Sequence, residues 1–208
     1  MRLTRWPRFR RILFLWPALA LLSPAHSQVI EYESNGLKYQ TLTRKGLTVI
    51  VTHLRNQVAG FGLLQASISN GSQVYWTARP TDFAYVKPDV ALEAISADQA
   101  VDVLLDRATH TDVVKLMKSY ENTLYGIPNM RSTNGYEQRR QNMMSFGISP
   151  RLKAAATASA IALPQTRIPP GQSTDGAVFI PLNHETKVLT GGRITFHCEG
   201  QLFEFNSD

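Results

Sequence analysis

The chain has 208 residues, with 22 Lys and Arg against 16 Asp and Glu, a formal charge of +6 at pH 7. Five of the basic residues and none of the acidic ones lie in the first 27, so the remainder carries 17 basic against 16 acidic residues. That near-balance removes the compositional support for nucleic-acid binding. A single cysteine, Cys198, excludes an intramolecular disulfide.

Residues 1–27 have the layout of a secretory signal peptide. Arg2, Arg5, Arg8, Arg10 and Arg11 precede the apolar run Ile12–Leu22, and the small-residue site Ala25-His26-Ser27 follows. Pro17 and Pro24 interrupt a run already short for a membrane span. Cleavage is expected between Ser27 and Gln28, which places the mature chain in the periplasm or outside the cell. The Arg10-Arg11 pair raises twin-arginine export, but Phe9 fits that motif poorly and an ordinary leader explains the segment. A retained leader would be the one route to the membrane.

From Gly36 to about Val86 the pattern is strand, turn, strand. Leu37–Thr43 is followed by the turn Arg44-Lys45-Gly46, then by the β-branched run Leu47–Thr52. Phe61–Ser69 places Leu64, Ala66 and Ile68 on one face. Asn70-Gly71 is expected to form a type I′ hairpin turn leading into Val74 and Trp76; the same residues with Ser72 form a glycosylation sequon in a eukaryotic setting. After Asp89 the period becomes helical. Ser96 and Gln99 form a capping box, and Ala97, Ala100, Val101, Leu104 and Ala108 follow at helical spacing. A second helix is expected from Thr111 or Asp112 to Gly126, a third from Asn134, and a fourth from Ser149-Pro150 to Pro164. Strands return at Thr166–Ile168, Ala177–Leu182 and Ile194–Cys198, the last turning at Glu199-Gly200 into Leu202–Phe205.

These patterns predict a mainly β, α+β protein: an immunoglobulin-like β-sandwich interrupted by a helical segment of roughly 75 residues. The boundaries are a leader at 1–27, a first half-sandwich at 28–89, a helical insert at 90–163 and a second half-sandwich at 164–208. An independent helical domain is the alternative organisation.

Ala66-Ser67-Ile68-Ser69-Asn70-Gly71-Ser72 with Arg79-Pro80-Thr81-Asp82-Phe83, and Ile168-Pro169-Pro170-Gly171-Gln172-Ser173 with Gly176-Ala177-Val178-Phe179-Ile180-Pro181, resemble small exported bacterial Ig-like domains. The resemblance covers the two β arms. It implies a sandwich fold and a role in adhesion, envelope assembly or partner binding.

No catalytic motif stands out. The histidines have no ligand spacing, Cys198 alternates in phase with buried positions, and neither a nucleophile elbow nor an SxxK occurs. Asp82, Glu121 and Glu137 are carboxylates without a pairing signal. Asp98, Asp102 and Asp106 line one helix face, the solvated one. No metal or cofactor is expected. The most distinctive stretch is Tyr120–Phe146, where Tyr125, Tyr136, Arg139 and Arg140 combine side chains enriched at interface centres. Arginine beside tyrosine also suits a carboxylate or a sugar-like ligand. The expected function is therefore non-catalytic binding of an envelope or extracellular protein through the helical insert, with the oligomeric state left open. The alternative is a hydrolase of an envelope polymer, with its cleft between insert and sandwich.

Overall fold

The computed structural model describes residues 28–124, 127 and 149–207. Among these residues eleven strands form three sheets. The largest holds β1 (Ile30–Ser34), β2 (Leu37–Arg44), β3 (Leu47–Val58), β4 (Phe61–Asn70) and β9 (Ser173–Pro181), in that spatial order and antiparallel throughout. The second runs β11 (Gln201–Ser207), β10 (Gly192–Cys198), β6 (Phe83–Lys87), β7 (Val90–Glu93). A small sheet pairs β5 (Trp76–Ala78) with β8 (Thr166–Ile168). Three helices complete the described elements: α1 (Ala97–Arg107), α2 (His110–Leu124) and α3 (Pro150–Ile161), besides a 3₁₀ turn at Pro80–Asp82.

The strands are joined largely by one device. Asn35-Gly36, Lys45-Gly46, Ala59-Gly60 and Glu199-Gly200 are two-residue connections in which both residues have positive φ. That is the backbone of the turn whose twist matches paired strands, and glycine second makes it cheap.

The main sheet is covered on both faces. On one, Leu47, Val49, Val51, Leu64, Ala66, Ile68, Val178 and Ile180 pack against Phe83, Tyr85, Ile194, Phe196, Phe203 and Phe205 of the second sheet. Phe196 stacks on Phe83 with ring centres 4.4 Å apart. On the other face, Leu54, Val58, Phe61, Leu63, Ala177 and Phe179 share one apolar cluster with Ala100, Leu104, Val113, Leu116, Ala154, Ala158 and Ile161 of the helices. Each fully buried Leu or Phe contributes about 1.5–3 kcal/mol, so the two clusters bind all three layers together.

The expected sandwich interrupted by a roughly 75-residue helical segment is not what the chain forms. The described helices are three short ones in a mainly β protein. Two physical reasons account for the difference. Val90–Glu93 pairs with β6 as a strand of the second sheet. The helices that follow lie on the main sheet as a third layer, their apolar stripes completing its core. The third expected helix, from Asn134, lies outside the described residues.

Local signals are otherwise kept. Ser96 caps α1, with Gln99 Oε1 accepting from the Ser96 N–H at 3.0 Å and the Gln99 N–H donating to Ser96 Oγ at 3.3 Å. Ser149 caps α3, with Pro150 in its first turn. Asn70-Gly71 departs from expectation. Neither residue has positive φ, and β5 leaves β4 to pair with β8. The Asn70 side chain is buried: its Nδ2 donates to the carbonyls of Val74 and Ile168, and its Oδ1 accepts from Ser72 N–H and Oγ. The amide is consumed in closing a wider loop.

Candidate functional site: the helix-covered face of the main sheet

Strand alternation puts Tyr39, Thr52, Gln65, Ser67 and Asp175 on the face that the helices cover, in phase with Leu54, Leu63 and Phe179. The register sets Tyr39 opposite Thr52, Thr52 opposite Gln65, and Ser67 opposite Asp175. All five are buried. A polar row therefore runs across four strands beside the apolar patch that seats the helices.

The row is tied down at one end. Tyr39 donates its hydroxyl to the carbonyl of Thr123 in α2 at 2.9 Å, and its ring stacks on Tyr32 with centres 5.1 Å apart. Burial, reinforced by the neighbouring Tyr32 phenol, pushes the Tyr39 hydroxyl up to about 12. Thr52 Oγ1 donates to the Lys38 carbonyl at 2.7 Å. In the middle, Gln65 is 1 % exposed, and neither Nε2 nor Oε1 has a hydrogen-bond partner. A buried amide without partners costs roughly 1–3 kcal/mol, so this position carries unmet hydrogen-bonding demand.

The helical layer is clipped to the sheet by Asp112. Its Oδ2 accepts from the Thr109 hydroxyl at 2.7 Å and the Thr109 N–H at 2.8 Å, and the carboxylate also accepts from the Ala59 N–H in the β3–β4 turn. Burial alone would raise this carboxyl. Those hydrogen bonds and nearby Lys115 outweigh it and hold it below the ordinary aspartate range.

The helical layer also carries apolar side chains on its exposed side. Leu105 of α1, Val114 of α2 and Leu152 of α3 are all exposed. Asp98, Asp102 and Asp106 are exposed too, as expected for that side of α1. Tyr125, Tyr136, Arg139 and Arg140 lie outside the described residues, as does Ser27; Gln28 is the first residue described.

Other candidates settle into structural roles. Cys198 is buried and donates Sγ–H to the Thr77 carbonyl at 3.2 Å. Burial, with Glu199 and Asp82 nearby, pushes its thiol up to about 12, far from a reactive thiolate. Asp82 sits in the 3₁₀ turn and Glu121 on α2, on elements of different layers. Among the described residues no group of three or more His, Cys, Asp or Glu is placed to hold a metal ion, and no described helix is long and apolar enough to cross a membrane. No protein-family model matches the chain, and no curated protein or solved structure matches it.

Proposed function

We propose that the protein is an exported, non-catalytic binding module that holds a protein partner of the cell envelope or extracellular space on the outer side of its helical layer. The observation that carries this reading is the exposure of Leu105, Val114 and Leu152, one large apolar side chain on each of the three helices. Exposed apolar side chains of this kind supply binding energy when a partner covers them. The sequence adds support: the stretch following α2 holds Tyr125, Tyr136, Arg139 and Arg140, and residues 1–27 have the composition of an export leader.

The test is site-specific photocrosslinking in the producing cell. A photoreactive residue is placed at Leu105, Val114 or Leu152, with Arg193 on the second sheet as control. The reading expects one discrete crosslinked species from the three helical positions and none from the control, together with an intact mass beginning at Gln28. Crosslinks that map to Arg193, or a uniform smear from every position, would sink it.

A further inference from the structure

A second surface lies away from the helical layer, around the small β5–β8 sheet, and does not depend on the helical reading. Arg167 of β8 lies over the ring of Tyr75, with its guanidinium carbon 4.1 Å from the ring centre. Both side chains are exposed, and among the described residues no carboxylate pairs with Arg167. Stacking fixes the plane of the guanidinium while leaving its edge N–H groups free. A freely rotating arginine would lose more entropy on engaging a ligand.

Arg167 also lines an open groove of about 450 Å³, with Thr166, Pro169, Pro170, Gln172 and Ser173 among others, and no acidic residue is among the described residues of its wall. The wall is rigid. Gln172 N–H closes the turn onto the Pro169 carbonyl at 3.1 Å, and Gly171, at φ +75°, supplies the bend. The turn is bolted to β4 through Asn70: Gly171 N–H donates to the Asn70 carbonyl at 2.7 Å, Asn70 N–H to the Gln172 carbonyl at 2.9 Å, and Asn70 Nδ2 to the Ile168 carbonyl at 3.0 Å. The buried Asn70 thus holds in place both the turn and the strand carrying Arg167.

We infer that this groove binds an acidic oligosaccharide, a glycan bearing carboxylates of the uronic-acid type. The fork of Arg167 matches one sugar carboxylate in a two-bond geometry. Thr166 and Gln172 bring a hydroxyl and an amide toward ring hydroxyls, and the rings of Pro169 and Pro170 offer faces for sugar C–H groups. An extended acidic peptide fits less well. It would dock by a backbone ladder, and the three prolines of the wall, Pro164, Pro169 and Pro170, have no N–H to give.

The test is a titration of the full-length purified protein, followed by calorimetry and by amide chemical shifts, with a trigalacturonate, a neutral trisaccharide and hexaglutamate. Trigalacturonate should bind and shift amides of the 166–174 segment, with the neutral sugar at least about tenfold weaker for lack of the charged pair. Arg167→Ala should lower affinity about tenfold or more. Arg167→Lys should recover only part of it, because the fork is lost. Tyr75→Ala, at an exposed position that leaves the fold intact, should weaken binding severalfold by freeing the guanidinium. No binding of trigalacturonate at millimolar concentration, equal binding by Arg167→Ala, or hexaglutamate binding as tightly as the glycan would overturn the assignment.

Discussion

The side-chain amide of Gln40 on β2 pairs with the backbone of Asn206 on β11 in both directions. Nε2 donates to the Asn206 carbonyl and Oε1 accepts from the Asn206 N–H, each at 2.8 Å. One glutamine thereby does at this seam what a rung of β-ladder does within a sheet. The opposite seam is closed by backbone, since Ala94 N–H donates to the Phe83 carbonyl of the second sheet and Ile95 N–H to the Phe179 carbonyl of the main sheet. The two sheets are therefore held together at both edges as well as through their core.

Replacing Gln40 tests that seam. Gln40→Ala removes both partners of Asn206 at a part-buried site and should cost about 2–3 kcal/mol. Gln40→Glu keeps the acceptor but sets a carboxylate oxygen against the Asn206 carbonyl, so at neutral pH it should cost at least as much as Gln40→Ala. Urea unfolding measures both. A midpoint unchanged in Gln40→Ala would show that water replaces the amide at no cost and that the seam is held by the core alone.

Much of the local structure is legible in the sequence because its causes are local. The Ser96/Gln99 box, the Ser149-Pro150 start and the turns at Lys45-Gly46 and Glu199-Gly200 each need only neighbours within four residues. What failed was non-local. Asn70-Gly71 has the same letters as a hairpin turn, yet partners 98 residues away decide its conformation. β7 is four residues long and sits at the start of a helical pattern, so its pairing with β6 leaves no period to read. The helical layer did leave a trace. Phe61, Leu63 and Leu64 occupy both faces of β4, the mark of a strand covered on both sides. Beyond Leu64 that trace is broken by Gln65 and Ser67, the residues of the polar row. Arg167 and Tyr75 meet from positions 92 apart, and no spacing rule links them.

Gln65 makes a prediction opposite in sign to that for Gln40. Its amide is buried and unpartnered, so Gln65→Leu or Gln65→Met removes a desolvation cost and keeps the volume. Either variant should unfold at equal or higher urea concentration, by up to about 1 kcal/mol. A loss of 1 kcal/mol or more would mean that a tightly held water or another group satisfies the amide, and that the row is saturated.

Gly176 on β9 tests how closely the chain leaving α3 lies on the sheet. A Cβ there would fall 2.4 Å from backbone atoms of Leu163, while Leu163 N–H donates to the Ala177 carbonyl at 2.9 Å. Gly176→Ala must push that segment off the strand and should cost about 2–3 kcal/mol. Gly36→Ala, in open space at φ +71°, meets only backbone strain and should cost about 1 kcal/mol. Equal unfolding midpoints for the two would sink the close-approach argument.

Asp112 ties α2 to the β3–β4 turn, and its titration gives that tie a pH signature. Its carboxyl is held below the ordinary 3.8 in the folded chain. An acid depressed on folding stabilises above its unfolded value and loses that contribution as pH falls through the folded one. Wild type should lose stability below about pH 4, and Asp112→Asn should lose less over that interval, starting about 1 kcal/mol lower at neutral pH. Parallel acid-unfolding curves for the two proteins would remove Asp112 from the account.

Two buried acids act at the other end of the scale. Cys198 rises from 9.0 and Tyr39 from 10.0, each to about 12, because burial opposes the charged form and negative or phenolic neighbours add to it. Both are neutral when protonated, so the folded chain keeps its protons to higher pH than the unfolded chain. Stability is therefore complete below about pH 9, declines as the unfolded chain ionises first, and levels off above about pH 12. Cys198→Ala should remove the earlier part of the decline and leave the part that begins near Tyr39's ordinary value of 10.0. Thiol labelling supplies the independent check. Cys198 should resist a disulfide reagent at about pH 8 in the folded protein and react promptly in urea. A urea midpoint that stays flat from about pH 8 to pH 11, or rapid labelling of the native thiol, would show that neither group is as sealed from water as its packing indicates.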